Sequence, residues 1–476
     1  MHQKIRKKKI GLRIIPGIIL IWGVFLFTQN AEAFQIKRVI RGNAVMGSTD
    51  EILSVDLVTA GKIPANDTLV LSKSFLLFTA QIGGASDDAR IVNAFGTIDD
   101  ERTVLFGRLT SGFGMNIQYM IVEFKEGAQV VSAITPMSDT LTTKNVTFSP
   151  TDFDLNKTIA LLSYRSFRSA TNNDELNRVS VQFNTPKQIS LRRGETANRY
   201  NIDVYYQVIQ FDRDVNVQSG VFTHTGNSTT GAQNVTVNAV DPGRSFLVFS
   251  TRAGDNNIPP NATTANLAGW EDRYAMEGNI TSATNLQFYR LNGSSVLVAT
   301  APWFLVEFKN QGYAQRGSYD MGTATAGNIS IANAMDLNRT VAFIYPSLGA
   351  TDQAGLDDIY ITANYTNETN ILLGKNGTTT AVNLTWFAAE FPPLDLNTTN
   401  NGTDVWRVGG SYNIQWLSAQ SIESHPVALK LNATNSTNIA GYTLAVNTTA
   451  LNASDGTYSW AIPAEISGVN LIGNNL

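Results

Sequence analysis

The chain has no cysteine, and this absence excludes several kinds of chemistry and of stabilisation. Thiol nucleophiles, thiolate-bound metals and the disulfides that often stabilise small exported domains are all ruled out. Histidine is almost as scarce, since only His224 and His425 lie beyond the first 33 residues. Both are flanked by Ser, Thr or Pro, so we expect surface positions rather than a catalytic triad or a multi-histidine metal site. The phosphate-binding and nucleophile-elbow motifs are missing too.

Helical periodicity and excess positive charge are lacking as well. Short β-branched and aromatic runs alternate with clusters of Gly, Asn, Asp and Thr, which predicts an all-β chain of antiparallel β-sandwiches. Residues 1–33 hold six basic residues and one acidic residue, so 29 basic and 38 acidic residues remain, a net charge of −9. This mildly acidic remainder argues against a nucleic-acid partner.

The first 33 residues have the features of a secretion signal. Basic residues lie between Lys4 and Arg13, an apolar run covers 14–27, and Ala31-Glu32-Ala33 is a typical cleavage site. The apolar run is shorter than the roughly 20 residues that a membrane span needs, and it contains Pro16. We therefore expect a signal peptide at 1–33, a mature chain with no membrane span, and a secreted, extracellular or cell-surface location.

Three sequence markers recur four times in the same order. The first is a strand-like segment that begins at Ser74, Thr158, Ser245 and Thr340. The second is an acidic pair, and the third is an aromatic segment that ends in Glu-Phe or Gln-Phe. A period of about 90 residues predicts a tandem array of one small sandwich. Ending each unit at that Phe places the repeats at 34–124, 125–211, 212–308 and 309–391.

The closing segment of each repeat is expected to be a strand with two different faces. One face ends in Phe124, Phe211, Phe308 or Phe391, and we expect it to be the core face. The other face is expected to be half covered. In one interpretation a loop or the next repeat packs on it; in the other it is an oligomer interface or a carbohydrate-binding surface. Its candidate binding residues are Tyr119, Tyr206, Trp303, Trp386, Glu123, Glu307 and Glu390.

The acidic pairs are the remaining candidate for metal or catalytic chemistry. Clustered carboxylate oxygens suit Ca²⁺, so calcium is the one cofactor considered, at Asp87, Asp88, Asp357 and Asp358. Paired carboxylates are also what a glycosidase needs. The recurrence of the pair in every repeat favours a simpler interpretation, a loop feature that leads into the next strand.

Two repeats open with a similar tripeptide, Gln218-Ser219-Gly220 and Gln315-Arg316-Gly317. With the strand order and the aromatic closing strand, this patterning is similar to that of H-type lectins. That resemblance implies six-stranded sandwiches that trimerise and bind N-acetylgalactosamine. It rests on patterning, and fold alone does not fix function.

The sequence changes character after Phe391. A polar, turn-rich linker is expected at 392–405, followed by a W-x-x-G-x-x-Y-x-I-x-W … G-x-Y-x-W-x-I-P pattern that begins at Trp406. This pattern resembles the Ser/Thr-rich glycosylphosphatidylinositol-anchored (Kre/Knh-type) cell-wall family and implies an immunoglobulin-like sandwich at 406–476. No anchor signal accompanies it. The pattern ends without a convincing last strand, so we expect either a truncation or a continuation into another module.

Asn-x-Ser/Thr triplets are sparse before residue 225 and dense after it. They have two explanations: glycosylation of an exposed surface, or chance in an exported chain rich in Asn and Thr. Chance is the favoured explanation unless the source organism glycosylates its surface proteins.

Together these features predict an exported cell-surface structural or adhesive repeat protein, filament-like and without catalytic activity. The expected partners are cell-surface or extracellular glycans or proteins, with a homo-oligomer as a further option. The first alternative is a carbohydrate-binding surface protein that uses the Trp and Tyr strand faces. The second is a polysaccharide-active enzyme.

Overall fold

A computed structural model describes most of the chain between residues 35 and 392. The gaps in this range are 85–87, 150–151, 168–177, 195–199, 213, 225–231, 254–274, 291–297, 310–311, 349–358 and 379–380. Beyond 392 it describes short strands only. The expected signal peptide at 1–33 lies outside the described residues.

Six described strands recur in every repeat, and the third repeat has one additional short strand, which confirms the all-β prediction. The first repeat contains β1 (Gln35–Met46), β2 (Ile52–Asp56), β3 (Ser74–Ile82), β4 (Phe95–Ile98), β5 (Thr103–Gly107) and β6 (Met115–Glu126), with a short helix α1 (Ala89–Val92). The second contains β7 (Ala128–Met137), β8 (Thr143–Thr147), β9 (Thr158–Ser166), β10 (Ser180–Thr185), β11 (Gln188–Arg192) and β12 (Ile202–Phe211).

The other two repeats follow the same order. The third contains β13 (Val215–His224), β14 (Gln233–Thr236), β15 (Ser245–Phe249), a short β16 (Arg252–Ala253), β17 (Glu277–Ser282), β18 (Asn285–Tyr289) and β19 (Ala299–Phe308). The fourth contains β20 (Tyr313–Gly322), β21 (Ala326–Ser330), β22 (Thr340–Leu348), β23 (Thr362–Asn367), β24 (Asn370–Gly374) and β25 (Val382–Glu390).

Every repeat folds into two antiparallel sheets. The closing strand (β6, β12, β19 or β25) is the centre of a long sheet, between the strand that opens the repeat and the strand that begins at the Ser or Thr marker. The other three strands form a short sheet, with β5, β11, β18 or β24 at its centre. Each repeat is therefore a sandwich of a long and a short sheet.

Both faces of the closing strand are buried. The face that ends in Phe is a core face, as expected, but the other face is not half covered. In the first repeat Tyr119 and Ile121 pack with Val104 and Phe106 of the short sheet, so they form the core of the sandwich. Phe124, on the opposite face, belongs to a core shared with the other repeats. Alternation separates two faces of a strand but does not say what covers each of them, and this is why the expectation of a half-covered face was wrong.

The four repeats form a closed ring, and their terminal phenylalanines meet at its centre. The ring centroid of Phe124 lies 6.0 Å from that of Phe211 and 6.1 Å from that of Phe391. Phe308 lies 5.4 Å from Phe391. Beside this cluster, residues of β3, β9, β15 and β22 line a cavity of about 130 Å³. One strand from every repeat therefore faces the same axis.

One hydrogen bond recurs at all four junctions between repeats. A backbone N–H of the short sheet's strand β4, β10, β17 or β23 donates to a hydroxyl of the following repeat. The donor residues occupy equivalent register positions, and the pairs are Gly96 to Ser163 (3.2 Å), Val181 to Ser250 (3.1 Å), Gly278 to Thr385 (3.3 Å) and Ala363 to Thr79 (2.9 Å). The last pair joins the fourth repeat to the first, so the head-to-tail contact closes.

The closing junction has further contacts. Val39 N donates to Asn338 O at 3.0 Å, and the Arg41 guanidinium donates to the carbonyls of Leu337 and Thr340. The same guanidinium lies 5.2 Å from the centroid of the Tyr365 ring. The array is therefore a ring within one chain, and the four repeats do not form an extended row.

Beyond the ring, the described strands begin inside the segment expected to be a linker. Leu394–Leu396 (β26) pairs with β27 (Ser411–Ser418), which in turn pairs with β32 (Thr457–Ala461). The two halves of the cell-wall-type pattern thus meet, with Ile414 opposite Tyr458. The remaining short strands are β28 (Pro426–Val427), β29 (Lys430–Asn432), β30 (Thr443–Ala445), β31 (Leu451–Asn452), β33 (Glu465–Ile466) and β34 (Val469–Asn470).

Candidate functional site

The aromatic side chains expected to form a half-covered surface are buried. Tyr119, Tyr206, Trp303 and Trp386 are each at most 7 % exposed. They fill the sandwich cores, so no ring face is available on which a sugar could stack. The expectation that this face is partly exposed was therefore wrong, and with it the reason for expecting a carbohydrate-binding surface there. Truncating such a side chain to alanine is expected to destabilise the fold by about 3–5 kcal/mol.

The Gln-x-Gly openings have a packing explanation. A Cβ atom at Gly220 would lie 2.6 Å from the Trp303 ring, and one at Gly317 would lie 2.9 Å from Trp386. Only glycine leaves room for the indole opposite it on the neighbouring strand. The glutamine side chain of Gln315 pairs with the backbone N–H and C=O of Asn333, at 2.9 and 2.7 Å. Gln218 makes the same pair of bonds with Asn238.

The Glu or Gln before each terminal Phe supports a turn. In three repeats its side-chain oxygen accepts the backbone N–H of an aspartate, and in the first repeat that of a valine. The pairs are Glu123 with Val70 (3.1 Å), Gln210 with Asp154 (2.7 Å), Glu307 with Asp241 (2.9 Å) and Glu390 with Asp336 (2.8 Å). An amide in the second repeat does what carboxylates do in the others. The shared role is therefore acceptance of a hydrogen bond, which requires no charge.

The supported turn is a 3-10 turn with its own side-chain cap. Asp241 accepts from Gly243 N at 2.9 Å, and Ser245 Oγ donates back to Asp241 O at 2.7 Å. Arg244 reaches the Lys309 carbonyl at 3.0 Å, just past the closing strand. The same parts recur as the segments Asp154–Thr158 and Asp336–Thr340. In the first repeat the segment Val70–Ser74 keeps the bond from Ser74 Oγ to the Val70 carbonyl but has no side-chain cap. The sequence pattern of this turn is D-x-x-[KR]-[ST] in three repeats. It ends at the Ser or Thr that begins the first recurring marker, so the turn could have been predicted from the sequence.

A second recurring feature is a buried cation directly after the central strand of each short sheet. Arg108, Arg193, Arg290 and Lys375 are at most 2 % exposed. The Arg108 guanidinium donates to carbonyls of Gly47 and Asp50, at 2.8 and 2.9 Å, and to that of Phe113. It ties the loop after the first strand to the start of the closing strand. Burial lowers the pKa of Arg108. The cation is a structural clamp that sequence reasoning missed.

The acidic pairs are only partly described. Asp88 is half-buried and forms an ion pair with Arg90 at 2.6 Å, whereas Asp87, Asp357 and Asp358 lie outside the described residues. Within the described part of the chain, no group of three or more metal-ligating side chains comes together. His224 is buried rather than on the surface; it ends the opening strand β13 of the third repeat and packs against Phe222, with ring centroids 6.3 Å apart. His425 is also outside the described residues.

A cleft with a largely polar lining lies between the third and fourth repeats. Its volume is about 450 Å³. Its walls consist of carboxyl, amide and hydroxyl groups together with two tyrosine rings. The lining residues are Glu277, Asn279, Gln287, Tyr289, Ser318, Tyr319, Asp320, Asn383 and Thr385. This set does not recur in the repeat pattern, which distinguishes it from the features above.

Two polar residues occupy, at the cleft, the positions that an aromatic pair fills at the first junction. At the junction of the first two repeats, Phe95 stacks on Tyr205 with centroids 4.0 Å apart. The equivalent register positions in the third and fourth repeats are Glu277 and Thr385. The space that two stacked rings fill between the first and second repeats is thus open and polar between the third and fourth.

Glu277 is the most perturbed group of the cleft. It is 6 % exposed and accepts a hydrogen bond from Ser347 Oγ. Burial raises the pKa of Glu277, and the serine bond opposes that shift. Burial also raises the pKa of Tyr289, and the negative charge of Glu277 adds to this rise. A carboxyl group with a raised pKa beside tyrosine and amide groups can accept and donate hydrogen bonds to a hydroxyl-rich ligand.

Comparison with known protein families and with curated protein sequences finds no match to this chain. Among the described residues, no helix has the length and apolar character that crossing a bilayer requires.

Proposed function

We propose that the chain is an exported cell-surface protein without catalytic activity, in which a rigid ring of four sandwiches serves a structural or adhesive role. The observation that carries this proposal concerns the residue before each terminal Phe, which supports a turn. The second repeat has Gln210 where the other repeats have glutamate, and the amide oxygen accepts the same hydrogen bond. The recurring carboxylates of the closing strands hold backbone N–H groups, and the buried cations Arg108 and Arg193 hold carbonyls. The chemistry that repeats is therefore chemistry of the fold.

Two sequence features support the cell-surface location. The first 33 residues have the composition and cleavage site of a secretion signal. The segment after the ring resembles cell-wall-associated modules, and its two pattern halves pair as neighbouring strands. A ring joined to such a module is suited to present a fixed surface outside the cell.

Adhesion of coated beads tests this proposal. Beads carrying the mature chain are expected to bind isolated cell envelopes of the source organism, while beads carrying an unrelated all-β protein of similar charge do not. The same preparation is expected to release no reducing ends from a panel of extracellular polysaccharides. Release that is lost in Glu277→Gln would refute the non-catalytic assignment and favour the enzyme. Failure to bind envelopes would refute the adhesive role.

The cleft favours a second candidate function, carbohydrate binding. Amide and carboxyl groups beside tyrosine rings match the alternating hydroxyl and C–H surfaces of a sugar, and about 450 Å³ accommodates one or two sugar rings. The binding residues would then be those of the cleft, such as Glu277, Tyr289 and Asn383. The buried closing-strand aromatics would have no direct role.

Glycan-array binding followed by calorimetry tests this candidate. Gln287→Ala and Asn383→Ala are expected to weaken binding at least tenfold. Leu372→Ala is the matched control, because Leu372 occupies the position of Gln287 in the fourth repeat and is 46 % exposed. Glu277→Phe, which restores the residue found in the first repeat, should fill the cleft and abolish binding. Unchanged binding in all three cleft variants would refute the assignment.

A further inference from the structure

Three asparagines occupy the same place in three repeats. Asn145, Asn234 and Asn328 lie on the second strands β8, β14 and β21. Each is opposite the third residue of the central strand of its short sheet, at Ser190, Gln287 and Leu372 respectively. Each also begins an Asn-x-Ser/Thr triplet. In a chance distribution, triplets would not be expected to recur at one register position.

The geometry of the strand presents the triplet to solvent. In all three strands the Asn and the Ser or Thr are exposed, and the residue between them faces the sandwich. Asn145 Oδ1 accepts from Asn184 at 3.2 Å, and Asn234 Oδ1 accepts from Asn285 at 3.1 Å. These contacts use the amide oxygen. They do not use the amide nitrogen, which is the atom that carries a glycan.

Local structure does not explain these asparagines. Asparagine is disfavoured in strands, and here it stands at one register position in three edge strands. Further triplets lie in the strands β17, β23 and β25, at Asn279, Asn364 and Asn383. The triplets at Asn156 and Asn338 differ, because they lie in the 3-10 turns, where Thr158 and Thr340 donate to the carbonyls of the capping aspartates. Those two triplets follow from the turn motif. The strand triplets have no such cause.

The three strands share a liability, since each is at the edge of its short sheet. An exposed edge can pair with another chain unless charge, proline or a cover prevents it. The equivalent strand of the first repeat, β2, has Ser54 in place of the asparagine and is flanked by Glu51 and Asp56. Neither β14 nor β21 contains a charged residue. β8 contains one charged residue, Lys144. Two of the three triplets are thus found on edge strands that contain no charge.

We propose that Asn145, Asn234 and Asn328 are N-glycosylated and that their glycans cover the edge strands of the second, third and fourth repeats. In the transfer, a bond forms between the asparagine Nδ2 and C1 of the first sugar. The bond from C1 to the phosphate of a lipid-linked oligosaccharide donor breaks. Nδ2 loses one proton, and the carrier leaves as a lipid phosphate or diphosphate, without oxidation or reduction. The modification depends on the export proposed above, because such transfer accompanies translocation.

Peptide mass mapping of the protein purified from its native cells tests this proposal. Peptides that contain each of the three asparagines are expected to carry a glycan mass. Thr147→Ala, Thr236→Ala and Ser330→Ala keep the asparagine and its hydrogen bonds but destroy the triplet, so each should remove one glycan. Val146→Ile leaves its triplet intact and serves as the control. Unmodified peptides in protein recovered from the cell surface would overturn this inference alone, whereas recovery only from the cytosol would overturn the proposed export as well.

Self-association measures the role of the glycans at the edges. The triple variant Thr147→Ala/Thr236→Ala/Ser330→Ala is expected to associate at a concentration at least tenfold lower than the glycosylated protein in sedimentation experiments. Urea unfolding of the same variant should show unchanged stability, since all three hydroxyls are exposed. If the triple variant loses its glycans and remains as monomeric as the parent, edge protection is refuted.

Discussion

Replacing Arg41 by serine tests whether the fourth repeat closes onto the first. Arg41 donates to two carbonyls of the last 3-10 turn and lies against Tyr365. Serine is the residue that stands at the equivalent positions of the second and third repeats, Ser132 and Ser219. Arg41→Ser therefore gives the closing junction the residue found at two other junctions. At those two junctions the repeats are consecutive in the chain, whereas at the closing junction they are not.

The expected loss is about 2–3 kcal/mol. Each hydrogen bond from a charged donor contributes about 1.5–3 kcal/mol, so two bonds contribute up to about twice that. Part of the loss is offset, because the buried guanidinium is poorly solvated; burial lowers the pKa of Arg41 to about 10. A loss of about 2–3 kcal/mol makes opening of the junction roughly 30- to 150-fold more frequent.

Hydrogen exchange at Val39 is the direct assay, because its N–H bonds across the junction to Asn338 O. We expect faster exchange at Val39 in Arg41→Ser, by the factor above. Arg316→Ser is the matched control. Arg316 makes equivalent bonds to Ile280 and Pro242, but a short segment after Phe308 keeps its repeat joined to the preceding one. Unchanged exchange at Val39 in Arg41→Ser, with normal folding, would refute ring closure through this contact.

Three further predictions concern single side chains. Glu307→Gln should change the free energy of unfolding by less than about 1 kcal/mol, because the amide oxygen still accepts from Asp241 N and the lost ion-pair partner, Lys309, is exposed. Glu307→Ala should cost about 1–3 kcal/mol by leaving the Asp241 N–H without its acceptor; equal effects in urea unfolding would contradict the turn-support role. Phe124→Ala should cost about 3–5 kcal/mol through the cavity left at the ring axis, and a calorimetric loss below about 1 kcal/mol would show that the phenylalanines do not hold the centre. For Glu277 the folded pKa is raised, so between its ordinary value of 4.5 and the raised value the folded state binds more protons and stability falls as pH rises. Glu277→Gln should remove this loss of stability. The free energy of unfolding of the variant, relative to wild type, should therefore increase with pH in that window; a difference that does not change with pH would contradict the burial of an ionisable carboxyl.

Much of the architecture could be predicted from the sequence. The recurring markers indicated antiparallel strands because β-branched and aromatic runs between turn residues favour such strands wherever they occur. In the third repeat, the marker segment that begins at Ser245 and the closing segment that ends at Phe308 correspond to the strands Ser245–Phe249 and Ala299–Phe308. These local preferences carry no information about what lies beyond each sheet face.

The ring itself was not predictable by that route. A strand that ends in a buried phenylalanine such as Phe391 shows the same alternation of apolar residues whether that side chain faces its own sandwich or the other three repeats. The contacts that close the ring join residues almost 300 positions apart, such as Arg41 and Leu337. The cleft was missed for a related reason, since Glu277 becomes distinctive only when its equivalent position is known to hold Phe95.

The meeting of four phenylalanines at one axis has a consequence for how the gene can vary. Open tandem arrays gain and lose units readily, because an added unit contacts only its neighbours. Here the last repeat must reach the first, and the angle between successive repeats allows this with four. Deleting or duplicating one unit would leave two unsatisfied junction surfaces and a phenylalanine cluster without its full set of partners. We therefore expect recombination to exchange whole rings, or to alter individual repeats, while the number of repeats stays fixed.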